Sequence, residues 1–341
     1  MPFPVTPWPR VSVADPVHLG RRRALTALAA SAWLGGASAQ TAPAWPSKPL
    51  KLVVPYAAGG PADVVARELA QKLAADLQQP VLVDNQGGAM GVNALGMVAR
   101  AEADGHTLLM AASGNVVLQP MLSRQGGADL LARLRPVSTV STSPHVLVVS
   151  AKLPVRSVKE LVDYARANPG KVSFASAGLG GLAHLGMEMF KALSATDVLH
   201  VPYKGSSAAV NDLISGQVSA MFSSLPSLQG VADKGFVRVL AATAPSVSPA
   251  TRALPLMSAT LPGFDYTTWY AMYAPLATPG PVVSRLNAAL QRVLKDPAME
   301  ARIEPHGIEL QASTPEEVQA WTRRDTDKWS RILREAKIAI D

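Results

Sequence analysis

The sequence predicts an α/β protein of two domains, each a doubly wound and mainly parallel sheet. Three observations lead there. Strand, glycine loop and helix recur in that order along the chain. The strands are short, continuous apolar runs such as Leu50-Lys51-Leu52-Val53-Val54, the kind buried on both faces of a parallel sheet. The length of 341 residues is enough for two separate cores. A hydrophobic fraction of 48% with 17% charged residues is that of an ordinary globular chain. The absence of cysteine excludes a disulfide framework and thiol or thiolate-metal chemistry. No apolar run reaches the roughly 18 residues of a membrane-spanning helix.

The N-terminus reads as an address. Arg21, Arg22 and Arg23 precede an apolar run over 24–34, and Ala37-Ser38-Ala39 supplies the small-x-small pattern of a cleavage site. Residues 1–39 are therefore read as a cleaved export signal. The ordinary secretory route is preferred over the twin-arginine route that the paired arginines weakly resemble. Residues 1–20 are proline-rich and unlike a leader, so a start further downstream, for example at Val17, is one reading. Removing residues 1–39 takes away four arginines and one aspartate, and the net charge moves from +7 to +4. That mild balance, without a Lys/Arg stripe interleaved with aromatics, does not call for nucleic acid.

The elements follow in order. After the first strand comes Pro55-Tyr56-Ala57-Ala58-Gly59-Gly60-Pro61-Ala62-Asp63, a loop running into a helix with proline at its first position and a carboxylate in its first turn. Val65, Leu69, Leu73 and Leu77 give that helix one buried stripe. A strand at 81–83, a second glycine loop at 85–91 and a helix over 92–100 repeat the unit, and a strand at 107–110 ends in Ala112-Ser113-Gly114-Asn115. The middle block has strands at 145–149, 172–176, 198–201, 218–222 and 237–242. Ser157 with Glu160 signals one helix start, and the loop Ser176-Ala177-Gly178-Leu179-Gly180-Gly181 another. A β-rich run at 267–273, a helix from Pro281 and a long helix opened by Thr314, Pro315 and Glu317 close the chain. The late helices have no strands of their own, so the chain is expected to return. Residues 45–144 with 271–341 form one domain and residues 145–270 the other, joined by crossings near 144–150 and 266–273.

A strand end, two glycines and a helix start aim free N–H groups and the positive helix end at one point, which favours an anionic or hydrogen-bond-accepting ligand. Tyr56 either stacks on that ligand or fills the gap beneath the loop. Gly59 and Gly60 serve the turn, close ligand approach, or both. His184 and Glu188 stand four apart on a helix, a metal-compatible spacing, but without a third ligand a hydrogen-bonded structural histidine is the better reading. Lys204 either reaches a carboxylate or caps a helix end. Ser113 and Ser176, at strand ends, either donate to a ligand or cap helices. No Gly-x-Ser-x-Gly, His-Glu-x-x-His or phosphate-loop motif occurs, so a hydrolase is the weakest reading.

Several motifs in the right order resemble one family. Trp45-Pro46-Ser47-Lys48-Pro49, Val54-Pro55-Tyr56-Ala57-Ala58-Gly59-Gly60 with Asp63 and Arg67, and Asp104-Gly105-His106-Thr107-Leu108-Leu109 come first. Ser176-Ala177-Gly178-Leu179-Gly180 with His184, His200-Val201-Pro202-Tyr203-Lys204-Gly205-Ser206, and Trp269 with Ala274-Pro275 and Thr278-Pro279 follow. The chain from 45 to 341 resembles the periplasmic solute-binding proteins of the tripartite tricarboxylate transporters, first known as Bordetella uptake gene products. The resemblance implies a type II periplasmic-binding-protein clamshell with two crossover hinge strands. Such a protein closes on a small organic acid, held largely by backbone amides and ordered water, and delivers it to the membrane subunits of the transporter. A role feeding a sensor kinase uses the same clamshell and stays open. The chain departs from the family pattern at Pro61-Ala62, at Gln86-Gly87, at Met90 where glycine is usual, and at Ser223-Ser224. The expected ligand-binding set is Tyr56, Ala57, Gly59, Gly60, Ala62, Asp63, Ser113, Asn115, Ser176, Gly180, Gly181, His184, Tyr203, Lys204 and Ser223. No catalytic residue, metal or cofactor is expected, and the protein is read as a periplasmic monomer.

Overall fold

The apolar run Leu50–Val54 is strand β1, with four of its five residues buried as a strand covered on both faces requires. The computed structural model describes residues 9–10, 45–122, 127–203, 206–225 and 228–335. The export-signal reading of residues 1–39 and the expected ligand contact at Lys204 lie outside them. Helix α1 (Pro61–Leu77) has proline in its first turn, and Val65, Leu69, Leu73 and Leu77 are all buried. Each such side chain contributes about 1.5–3 kcal/mol of burial. β2 (Val81–Asn85), α2 (Val92–Ala99) and β3 (Thr107–Ala112) complete the first units. β1 pairs in parallel with β2 on one side and with β3 on the other.

The next strand ties the fold together. β4 (Leu134–Ser150) runs 17 residues without a break. Its residues 134–144 pair with β9 (Thr267–Pro275), and residues 145–149 pair with β7 (Ala220–Ser224). β8 (Val237–Ala242) also lies on the second part of β4. In the second half, β5 (Ser173–Ser176) is parallel to both β6 (Leu199–Pro202) and β7. The described strands thus make one sheet ordered β2-β1-β3-β9-β4-β7-β5-β6, with β10 (Glu309–Leu310) and β8 on β4. The parallel units are those the glycine loops predict. Around them, the long strands β4 and β9 enter antiparallel, so parallel pairs sit within each half and antiparallel pairs join them.

Local signals place the helices. Ser157 Oγ accepts from Glu160 N at 3.1 Å to start α3 (Val158–Ala167). The Glu160 carboxylate accepts from Arg156 N rather than from Ser157, so the capping box is shifted by one residue on its return side. α4 (Leu182–Ser194) follows the Gly180-Gly181 loop, and α5 (Ser206–Ser215) follows β6. α6 (Gly280–Val293) and α7 (Pro297–Ile303) lie on α1, tied by Arg292–Asp76, Arg302–Glu68 and Lys72–Asp296. α8 (Pro315–Glu335) opens with a full capping box, Glu317 N donating to Thr314 Oγ and Thr314 N to the Glu317 carboxylate. It rests on β4 and also on α4. Trp269 Nε1 donates to Asp325 at 2.7 Å, and Trp329 meets Tyr266 edge to face, so its packing is not confined to the first half.

Candidate functional site

A cavity of about 650 Å³ opens between the two halves of the sheet. One wall is the β1–α1 loop, and the opposite wall is the β5–α4 loop. The floor comes from the crossover strands through His145, Thr268 and Tyr270, with Ser143, Phe222 and Ser223 beside them.

Asn115 organises the first wall. Its Oδ1 accepts from the Tyr56 hydroxyl at 2.8 Å and from Ala112 N at 3.0 Å, while its Nδ2 donates to the Met90 carbonyl at 3.0 Å. The ends of β1 and β3 and the turn that follows β2 are thereby fixed to one side chain. Gly91 stands against that amide, and a Cβ there would lie 2.7 Å from Asn115 Nδ2, which accounts for the glycine. Tyr56 lines the cavity while its hydroxyl donates to Asn115, so the residue also supports the wall.

Asp63 has a different place from the one expected. It is buried and absent from the cavity wall; its Oδ2 accepts from Gly59 N and from Arg67, both at 2.9 Å. Burial pushes its carboxyl pKa upward, but bonds from Arg67, Gly59 and Asn85 outweigh this and hold it below the usual value. The carboxylate therefore closes the loop rather than meeting a ligand. Asp63 N and Val64 N bond back to Gly60 O. Gly60 N and Ala62 N are left without a partner among the described residues, at the positive end of a 17-residue helix.

The second wall is held by imidazoles. His184 Nδ1 accepts from Gly180 N at 3.0 Å and pins the loop onto α4. The His184 ring stacks on His200 at 3.9 Å between centroids. Burial lowers the His184 pKa, opposed by Glu188 and assisted by Lys191. Burial, with His184 and Lys191 nearby, lowers that of His200 to about 4. Both rings are neutral at neutral pH. Ser176 Oγ donates to Gly178 O at 2.8 Å and lies 2.7 Å from His200 Nε2. With its single proton given to Gly178, the hydroxyl accepts from the imidazole, the reverse of a nucleophile handing its proton to a base. A serine and a histidine that the sequence does not bring together are thus paired, but as support for the loop.

The expected binding residues therefore separate. Tyr56, Ala57, Gly60, Ala62, Asn115, Gly180, Gly181 and Ser223 line the cavity. Gly59 lines an adjoining cavity that shares Ala57, Gly60, Pro61, Ser206 and Ile308 with the first. Ser113, Ser176, His184 and Tyr203 stand outside the wall. Tyr203 donates to Asp212 at 2.6 Å, and the Ser113 hydroxyl is buried. Sequence reasoning missed His145, Tyr270 and Ile308. His145 bonds Tyr266 and Thr268 through its two nitrogens, and burial lowers its pKa to about 4. Ile308 arrives from a turn next to a two-residue strand, which carries no periodic signal. Among the described residues no lining side chain is charged at neutral pH, and no group of three or more His, Cys, Asp or Glu is placed to hold a metal. No described helix is long and apolar enough to cross a membrane.

The profile of the tripartite tricarboxylate transporter family receptor matches residues 65–338. The chain belongs to that family. The receptor family is one of solute-binding proteins rather than enzymes. Similar relatives include a protein encoded in the tcbD-tcbE intergenic region of Pseudomonas sp. strain P51, 36% identical over 95% of this chain and 97% of its own. Bordetella pertussis BugT is 33% identical over 88% of this chain and 93% of its own. Among solved structures, R. palustris Rpa4515 with adipate matches with a TM-score of 0.79 and 31% identity, covering 86% of this chain and 99% of that one. Rhodopseudomonas palustris MatC with bound malate gives 0.72 and 28%, covering 85% and 100%. The periplasmic binding protein BugD gives 0.74 and 33%, covering 86% and 99%. These likenesses extend to the whole described fold, a two-domain clamshell of the receptor family.

Proposed function

We propose that this receptor captures a small organic acid in the periplasm and delivers it to the membrane subunits of a tripartite tricarboxylate-type transporter. One observation carries the reading. The cavity is flanked by the N-termini of α1 and α4 and has no charged side chain among its described lining residues, so a carboxylate there is met by backbone N–H groups and helix ends. Two relatives solved with adipate and malate bind carboxylates, which supports the same ligand class here. Gly60, Ala62, Gly180, Gly181, Tyr56 and Ser223 are the proposed contacts, with Asn115 positioning the first wall. The domains are 45–144 with 271–341, and 145–270. They close about the crossover strands because ligand binds the closed form more tightly. Residues 1–39 form the cleaved export signal, and the mature protein acts as a monomer.

A thermal-shift screen of the purified protein against mono-, di- and tricarboxylates, amino acids and aromatic acids tests this, since a ligand of the native state alone raises the melting temperature. The expected outcome is a rise of several degrees with at least one carboxylate, recovered chemically unchanged. No response to any carboxylate, or its conversion to product, would overturn the reading.

A further inference from the structure

Met90 is the one cavity residue that breaks a local backbone rule. It adopts φ 50°, ψ 26°, the left-handed conformation that glycine takes freely and a residue with a Cβ does not. Its neighbours Gly88 and Gly91 have φ 103° and 88°, so the chain turns there on two glycines and one methionine. The strained residue is held by Asn115 Nδ2 on its carbonyl. The side chain lines the cavity, 39% exposed, and crosses to the other half. The Met90 methyl lies 3.7 Å from the point where a Cβ on Gly180 would stand. Strain kept at the meeting point of two walls marks a position where the side chain acts on what lies between them.

The surroundings indicate what it acts on. Leu179, 68% exposed, and Ile308 line the same space. Several polar side chains of the wall are committed within the protein: Asn115 to three backbone and side-chain partners, Ser143 Oγ to Gly307 O, and His145 to Tyr266 and Thr268, which leaves the hydroxyls of Ser206, Ser223 and Tyr270 for a ligand among the described residues. A hydroxyl or keto group on the part of the ligand that faces Met90, Leu179 and Ile308 meets no polar side chain there, and a polar group buried without a partner is costly. A flexible, polarisable thioether instead gains by contact with hydrocarbon.

We propose that Met90 is a specificity-determining residue that selects carboxylates with an unsubstituted apolar body, aromatic or straight-chain alkyl, over hydroxy and keto acids. This rests on the carboxylate-receptor reading above. Met90 forms the apolar contact with the ligand body and with the opposite loop in the closed form, and its backbone strain is sustained by the Asn115 hydrogen bond.

Isothermal titration calorimetry of the purified protein with succinate and malate, which differ by one hydroxyl, and with adipate and benzoate, tests the assignment. The expected result is succinate at least tenfold tighter than malate, with adipate or benzoate tighter still. Met90→Gln keeps the length and the backbone strain, so the melting temperature without ligand stays within about a degree while the succinate-to-malate ratio falls at least threefold. Met90→Gly relieves the strain, so the melting temperature rises while affinity for adipate and benzoate falls. Malate bound as tightly as succinate by the unmodified protein, or a ratio unchanged in both variants, would overturn the specificity assignment and leave the carboxylate reading intact. No binding of any of the four acids would likewise overturn the specificity assignment, and with no response in the wider carboxylate screen as well it would remove both together.

Discussion

The two loops that face each other across the cavity have the same sequence grammar and different chemistry holding them. The β1–α1 loop is closed by a carboxylate, Asp63, accepting from Gly59 N and Arg67. The β5–α4 loop is closed by neutral imidazoles, His184 accepting from Gly180 N and His200 paired with Ser176. A carboxylate accepts at any pH above its own low pKa, whereas an imidazole nitrogen accepts only while unprotonated. The first wall is therefore indifferent to pH over the range in which the second begins to loosen.

The largest expected effect breaks the second wall directly. Gly180 has φ +74°, and a Cβ there would lie 2.7 Å from Leu122 Cδ1. Gly180→Val should weaken binding of a carboxylate hit from the thermal-shift screen about thirtyfold, since a β-branched residue in that backbone region costs about 2 kcal/mol. Titration calorimetry reads the change, and unaltered affinity in a folded variant would refute the assigned wall.

The second test separates the loops by pH. His200 has a folded pKa of about 4, below its ordinary value, so it favours the folded state fully above pH ~6.5 and that contribution is lost as pH falls from there toward 4. The loss is roughly 2 kcal/mol after allowing for solvent screening of a partly exposed ring. His145 titrates in the same window and adds to it. Asp63, with a lowered carboxyl pKa, contributes above its unfolded value and loses that contribution only as pH falls below ~4. Melting temperature against pH should fall between 6.5 and 4, and less steeply in His200→Gln. Identical slopes in the two proteins would mean that the imidazole does not set the second wall's sensitivity.

The smallest effect concerns the first wall. Tyr56→Phe removes one hydrogen bond to Asn115 Oδ1, which still accepts from Ala112 N. The cost is about 1 kcal/mol by denaturant unfolding. A loss of several kcal/mol would show that the Asn115 junction depends on the phenol more than its geometry indicates.

What could be read from sequence was what is locally encoded. Pro61 at a helix start, Thr314 with Glu317, and the four-residue stripe of α1 each act within a turn or two, and the structure has them. β4 was legible only in its second part, 145–149. Its first part carries Pro136, Ser138, Ser141 and Pro144, residues that read as interruptions, and the ladder to β9 slips between Pro136 and Ser138 and again between Thr139 and Ser141. At the site, a carboxylate in the first turn of a helix has one sequence signature for two tasks, greeting a ligand's donor or closing its own loop. Asp63 performs the second. The Met90 departure was visible as an odd residue in a glycine loop, but its left-handed backbone is held by Asn115, and its reach to Gly180 meets a wall supplied by a segment ninety residues away.

The return of β9 to the first half has a consequence for the growing chain. β3 is bonded to β1 on one side and to β9 on the other, and β9 begins at Thr267. Until those residues emerge, Leu109, Met110, Ala111 and Ala112 form an apolar edge with an unfilled row of backbone donors and acceptors. The second half lies almost wholly between 145 and 242, so most of its pairings are available before that edge is covered. A nascent chain of this protein thus carries a sticky, template-like border for nearly half its synthesis, and shielding that border falls to whatever accompanies it until β9 arrives.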